Sequence, residues 1–492
     1  MVKLALFGLC ALLAACTPTQ PDTIVFAMAT APSVLDPRLA SDAASERVNT
    51  LLYDRLVVLD AQGVPQPGIA SWQQLDPRHY RITLLSQRAA FWDGEQPDAL
   101  DVVATYRSLL DRSLGSPHAS ALAHLKEVVA VDETRVDFHL SRPDPLFPSR
   151  LTIGIVPARA VATGKLMRDP LGSGPFALVE RREDGGILLE RRRDGQRFLL
   201  APVTDPTMRA LKLLRGEAQL LQNDLPGELY GVLEKSSGLQ LRQGPGTTFA
   251  YIGFNLADPT LARREVRVAI AHAIDREAII RYLFGGRAQA AESVLSPTHW
   301  AAATDLTPYA HDPALARDYL RRAGFNEERP LVLSYKTSTD PFRLRIAHVL
   351  QSQLAEAGIR LEIASYDWGT FFGDIKAGRF QMYSLSWVGV STPDILRYAF
   401  HSASIPPVGA NRGRYRSADV DRLLELAETA DPGSAAGLYA DVQRQLHRDL
   451  VYVPLWYEAN VAVSRGLTGY APGQDGNYLA LNRVMISDAH GR

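Results

Sequence analysis

Cysteine is almost missing from this chain: of 492 residues only Cys10 and Cys16 are cysteines, both within the first sixteen positions. Everything beyond them must fold without a disulfide, a thiolate metal site or a cysteine nucleophile. An excess of one charge is missing too. The formal net charge is −1, which leaves no electrostatic reason to expect nucleic acid or an anionic membrane surface as a partner. Past the N-terminus no apolar run is long enough to cross a membrane. The motifs of common chemistries are also absent: no Gly-x-Ser-x-Gly elbow, no His-Glu-x-x-His, no paired-cysteine zinc pattern and no dinucleotide-binding glycine fingerprint. The eleven histidines are scattered, and His272 reads as a partly exposed residue on a helix. No catalytic constellation, metal site or cofactor is expected. Lysine is scarce, seven of the 53 basic residues, and the arginine excess carries no functional weight.

What is present is the composition of a soluble globular protein, 46% hydrophobic and 22% charged, in a chain long enough for two or three domains. At the N-terminus Lys3 precedes an apolar run, Leu4 to Ala15, too short to span a bilayer and suited to a signal-peptide core. Leu13-Ala14-Ala15-Cys16 resembles the bacterial lipobox, so residues 1–15 are expected to be removed and Cys16 lipidated. The polar, proline-containing stretch 16–22 would be a tether. Acyl chains on one cysteine would hold the protein at a membrane surface.

The stretch that organises the rest is Thr247 to Gly286. Tyr251-Ile252-Gly253-Phe254-Asn255 has the β-branched and aromatic character of a strand, closed by Asn255 and the turn residues Asp258-Pro259. A helical stripe of Val266, Ala269, Ile270, Ala273 and Ile274 comes next. Asp275 is placed to cap a second helix that Gly285-Gly286 stops. Upstream, Thr23 to Ala29 predicts a buried strand, and Ser45 to Leu59 carries a helix-like stripe of Val48, Leu51, Leu52 and Leu56. Tyr80, Ile82 and Leu84 alternate as a half-buried strand; Asp98 caps a helix with Val102, Val103, Tyr106 and Leu109. Asp169 to Phe176 packs glycines and a proline into a sharp return; without a Gly-Lys-Ser/Thr after it, it is no phosphate loop. Downstream, Asp312-Pro313 opens a helix, and strand, helix and strand alternate from Leu331 to Ile363, as in an α/β lobe.

In wording, the Tyr-Ile-Gly-Phe-Asn strand, Val-Arg-Val-Ala-Ile-Ala-His-Ala-Ile-Asp-Arg and the glycine pair resemble the signature of the peptide/nickel family of periplasmic solute-binding proteins, family 5. The segments Ala31 to Pro37, Phe91 to Gly94, Asp169 to Phe176 and Asp312 to Gly324 match it as well, so the likeness covers nearly all of the mature chain. It departs at Arg191 to Gly195, where the family has an asparagine and an aromatic.

The resemblance implies an α/β, two-lobed periplasmic-binding-protein fold of type II character, with discontinuous lobes joined by a hinge and a subdomain inserted in the first. Lobe I would comprise 23–50, 172–246 and 468–492, the inserted subdomain 51–171, and lobe II 247–467. It implies a monomeric receptor of an ATP-binding-cassette importer that captures a peptide-like solute and delivers it to permease subunits. Non-peptide solutes such as a nickel chelate, haem, glutathione or a sugar would use the same fold; a lipid-anchored hydrolase is the remaining class.

The resemblance also implies contacts. Trp387, at a strand end, is expected against the ligand, with core filling as its alternative. Arg412 and Arg414 are candidates to hold a ligand carboxylate, or solvated loop residues. Phe249 and Tyr251 border the hinge, with core packing as the alternative; Ser33, Asn255 and His401 complete the candidates. Peptide-binding members commonly read Trp-x-x-Asp-Tyr, the aspartate pairing with the ligand's terminal ammonium. Here Val390 holds that place, so either Asp394 takes over the pairing or the ligand presents no amine there. As its alternative, Asp394 would cap a helix.

Overall fold

The computed structural model describes residues 23–487 apart from 165 and 167. The signal segment, the tether and Cys16 lie outside them. Among the described residues no helix is long and apolar enough to cross a membrane.

One long mixed sheet runs through both lobes, in the order Ile359–Tyr366, Leu331–Ser338, Met382–Trp387, Leu239–Phe254, Tyr452–Arg465, Leu220–Gln222, Thr23–Met28, Arg197–Pro202, Ile187–Arg191 and Phe176–Arg181. At the second-lobe end, Leu331–Ser338 and Ile359–Tyr366 pair in parallel, joined by the helix Pro341–Glu356. That strand–helix–strand crossover buries Leu333, Leu350 and Leu361 together with Ile252, Ile270 and Trp456. At the first-lobe end, Thr23–Met28 lies parallel to both Arg197–Pro202 and Leu220–Gln222. Its core joins Ile24, Phe26, Val48 and Leu51 to Leu481 and Val484 near the other end of the chain.

The expected caps are in place. Asp98, Asp275 and Asp312 each accept a backbone N–H in the first turn of the adjoining helix. Gly285 and Gly286 both adopt positive φ after the helix Arg276–Leu283, a conformation that a side chain would oppose.

The stripe from Ser45 to Leu59 is not one helix. The helix Ala43–Leu52 stops at Tyr53, and Val57–Leu59 is a strand. Val48, Leu51 and Leu52 pack in the first-lobe core, whereas Leu56 and Val57 belong to a separate cluster with Tyr80, Ile82, Tyr106 and Phe138. The apolar spacing is continuous because the chain passes from one core directly into another. That second core is the inserted subdomain, a four-stranded antiparallel sheet ordered Ala70–Asp76, His79–Leu84, Arg135–Leu140, Leu125–Ala130 and backed by the helix Ala99–Leu110.

Two strands cross between the lobes. Leu239 to Gly244 pairs with Arg465 to Asn460, and Thr248 to Gly253 pairs with Glu458 to Tyr452; the register breaks between Gly244 and Thr248. A bulge bends a ribbon and re-aims the strand beyond it. At Gly246 a Cβ would stand 2.0 Å from the Glu458 carbonyl oxygen, so the crossing tolerates no side chain there. Asn460 onward pairs with first-lobe strands, so 460–467 pack on that side of the crossing.

Away from the hinge the lobes are closed upon one another. The turn 60–64 sits on the second lobe: Trp300 N–H donates to the Gln62 carbonyl at 3.0 Å, and a Cβ on Gly63 would stand 2.6 Å from the Ser391 carbonyl oxygen. Beside it Gln474 Nε2 donates to Thr298 Oγ1 at 2.9 Å.

Candidate functional site

Where Met382–Trp387 ends beside the crossing strands, aromatic residues collect. Phe249 lies directly across from Trp387 on the neighbouring strand, and Tyr251 across from Leu385. Odd-numbered positions share a face of the pleat, so Phe249, Tyr251 and Trp387 fall on one side. Their rings follow suit. Trp387 stacks at 6.2 Å on Tyr251, and Tyr251 stacks at 4.0 Å on Tyr452. Phe249 also stacks on Tyr251, at 5.7 Å.

Into this group comes Arg412. Its guanidinium lies 4.5 Å from the Trp387 ring centroid and 5.3 Å from that of Phe372, and Nη1 donates to Tyr251 Oη at 3.1 Å. The residue is 9% exposed. No carboxylate lies within 4.0 Å of its guanidinium among the described residues. Burial holds the Tyr383 and Tyr452 phenols well above their ordinary range, so both are neutral. The cation is therefore answered only by π faces and neutral dipoles. On the same indole, Trp387 Nε1 is buried and has no hydrogen-bond acceptor among the described residues. Such an arrangement is short of one thing, an anionic oxygen.

The other sequence candidates are occupied elsewhere. Asn255 Nδ2 donates to the carbonyls of Gly378 and Phe380 at 3.2 and 3.0 Å and fastens the strand end to that turn. Arg414 folds back onto the Arg412 carbonyl at 2.8 Å, its guanidinium lying where a Cβ on Gly378 would clash. His401 accepts the Ala403 N–H at 3.0 Å and stands 3.5 Å from Glu425 and 3.8 Å from Asp421. Ser33 accepts nothing from a cleft: its N–H donates to Ser45 Oγ and its hydroxyl to Asp42, the cap of Ala43–Leu52. Phe249 and Tyr251 are fully buried, a packed layer beneath Trp387 and Arg412.

Asp394 neither caps its helix nor stands free. The helix Asp394–Phe400 has no side-chain cap. Instead Arg150, from the inserted subdomain, grips the carboxylate with Nη1 at 2.7 Å and Nη2 at 3.0 Å while Nε holds Asp144 at 2.7 Å. Nearby Arg142 reaches Glu428, which also receives Arg397. Val390 remains apolar and buried. Sequence reasoning did not find Phe372, Tyr383, Tyr452 or Arg150. The first belongs to the helix Trp368–Ala377, which Asp367 caps and Gly378 closes.

Among the described residues one group has metal-ligating composition, His79, Asp137 and His139, and it lies in the inserted sheet rather than between the lobes.

The chain resembles known proteins over nearly its whole length. It is 28% identical to a probable di/tripeptide-binding protein of Pseudomonas aeruginosa, over 84% of this chain and 86% of that one. It is 29% identical to the glutathione-binding protein GsiB of Salmonella paratyphi A, with 95% of each covered. The ABC transporter substrate-binding protein CtaP of Listeria monocytogenes shares its fold with a TM-score of 0.85, at 23% identity over 95% of this chain and 99% of that one. Residues 52–405 match the model of the bacterial extracellular solute-binding proteins, family 5. A match of that extent shows that the chain belongs to the family 5 extracellular solute-binding proteins.

Proposed function

We propose that this protein is the monomeric solute receptor of an ATP-binding-cassette importer, taking a peptide-like solute that carries an anionic group into the closed space between its lobes and handing it to the permease. The observation that carries the reading is Arg412, buried with Trp387 and Tyr251 and without a carboxylate partner among the described residues. A ligand carboxylate would satisfy both the guanidinium and the orphaned indole N–H. Relatives named for di/tripeptides and for glutathione, itself a peptide-like diacid, support the solute class. Lobe closure is expected from contacts with both lobes, because a ligand shifts an equilibrium only by interacting differently with its two states.

The ligand's amine is not what this site selects. Val390 offers no charge, and Asp394 is held by Arg150. Free and N-acetylated forms of one peptide therefore bind alike in calorimetry, whereas amidating its C-terminal carboxylate weakens binding strongly. Loss of affinity on acetylation, with amidation harmless, would reverse the assignment. The solute itself is identified by mass spectrometry of small molecules released when freshly purified protein is denatured; turnover of that molecule would instead favour a hydrolase. We further propose that Cys16 is acylated and anchors the receptor in the cell envelope after removal of residues 1–15. Cys16→Ser then frees the protein from the membrane fraction, and a variant that stayed bound with its acyl label would sink the anchor.

A further inference from the structure

We propose that His79, Asp137 and His139 form a binding site for one divalent transition-metal ion on the outer face of the inserted subdomain's sheet. The site is a product of register. His79 lies directly across from His139, and Arg81 across from Asp137, on the antiparallel strands His79–Leu84 and Arg135–Leu140. Alternation places these four side chains on one face, because Tyr80, Ile82, Val136 and Phe138 occupy the other and pack in the subdomain core.

The two imidazole rings lie 4.3 Å apart, tilted by 31°. His79 Nε2 stands 3.1 Å from Asp137 Oδ2. That nitrogen is shut from solvent and lacks hydrogen-bond geometry to any partner. One donor atom from each of the three residues lies within 4.8 Å of the others. An ion held at ~2.0–2.2 Å by imidazole nitrogen and carboxylate oxygen draws its ligands to separations of about 3–4 Å, so side-chain rotations that move the donor atoms by about an ångström complete the set. Two imidazoles with one carboxylate suit zinc, nickel and copper and not magnesium or calcium, which take oxygen.

One feature opposes the ion. Arg81 holds Asp137 through Nε and Nη2, both at 2.8 Å. A divalent cation must draw the carboxylate away from this guanidinium, so Arg81 is a competitor and its removal has a predictable sign.

The test is equilibrium dialysis of chelator-stripped, full-length protein against zinc chloride, with metal analysis. One equivalent is expected to bind. Its affinity falls at least tenfold in His79→Gln and again in His139→Gln, while His348→Gln, on an exposed helix position, leaves it unchanged. Arg81→Ala is expected to tighten zinc by about tenfold, an effect no merely structural role of the cluster produces. Zinc raises the melting temperature of the parent and not of His139→Gln, whose solute affinity stays that of the parent, which separates this site from any metal bound between the lobes. Zinc binding indifferent to both histidine substitutions, no binding at micromolar zinc, or weaker binding in Arg81→Ala would overturn the proposal.

Discussion

Arg150 and Arg412 are both largely withdrawn from solvent, with 12% of the first side chain and 9% of the second residue exposed. Arg150 is enclosed by carboxylates from two parts of the chain, Asp144 in its own subdomain and Asp394 across the seam. Arg412 is enclosed by rings. A buried charge without a counter-charge costs free energy that a paired one recovers in part. The first arginine therefore serves the protein's own closed form, while the second has no carboxylate beside it among the described residues and, on the function proposed above, would receive the solute's.

The comparison breaks most visibly at Arg412. Replacing it with Met removes the desolvated contact to a ligand carboxylate, worth ~3–5 kcal/mol or on the order of a hundredfold or more in affinity. The unliganded variant should melt no lower than the parent, because an unpaired buried cation has gone. Calorimetry and thermal melts read the two halves, and a variant that is destabilised but binds normally would make Arg412 a structural residue.

Asp394→Asn acts in the opposite sense. It leaves Arg150 with Asp144 but loosens the seam between subdomain and second lobe. Asp394 is 35% exposed, so solvent screening reduces the loss to ~1–2 kcal/mol, roughly tenfold in affinity. The variant should show a larger radius of gyration in small-angle scattering at equal ligand occupancy; an unchanged radius and affinity would show that the pair does not report closure.

The third contrast is in pH. Burial beneath the 60–64 turn pushes His299 down from its ordinary 6.5 to about 4, against the opposing pull of the Ser391 carbonyl and then of Asp60. Its contribution to the closed form is thus fully present above about pH 6.5 and is lost as pH falls toward 4. At pH 5.5 affinity should be up to about tenfold weaker than at pH 7.5. His299→Gln removes that share, and a variant profile superimposed on the parent's would acquit this histidine.

Helix starts were the most legible part of the molecule, since an aspartate ahead of an apolar stripe acts locally and needs no tertiary partner. The long helix Pro432–Asp449 carries the same signals, with Asp431 as its cap and Ala435, Tyr439, Val442 and Leu446 as its buried stripe, and belongs with the legible part although it is absent from the sequence reading. The stripe at Ser45 to Leu59 misled: periodicity records that residues are buried, not in which core. At the site, Trp387 and Arg412 were readable as candidates, but Asn255, Arg414 and Ser33 were not readable as fasteners. A polar side chain at a strand end looks the same in sequence whether it bonds a backbone carbonyl or a solute. The bond between Arg150 and Asp394 joins residues 244 positions apart, and nothing local announces it.

The first-lobe core, finally, has a temporal consequence. It joins Ile24 and Phe26 to Leu481 and Val484, so a chain made from its N-terminus holds an apolar strand without part of its cover until residues 481–484 arrive. Contacts of such separation in sequence form slowly and leave strand edges open to wrong pairing meanwhile. The inserted subdomain closes its own core from nearby segments and can settle early. The newborn protein would thus pass much of its maturation with one finished module on an unfinished lobe, and truncations of the final twenty residues should trap it there.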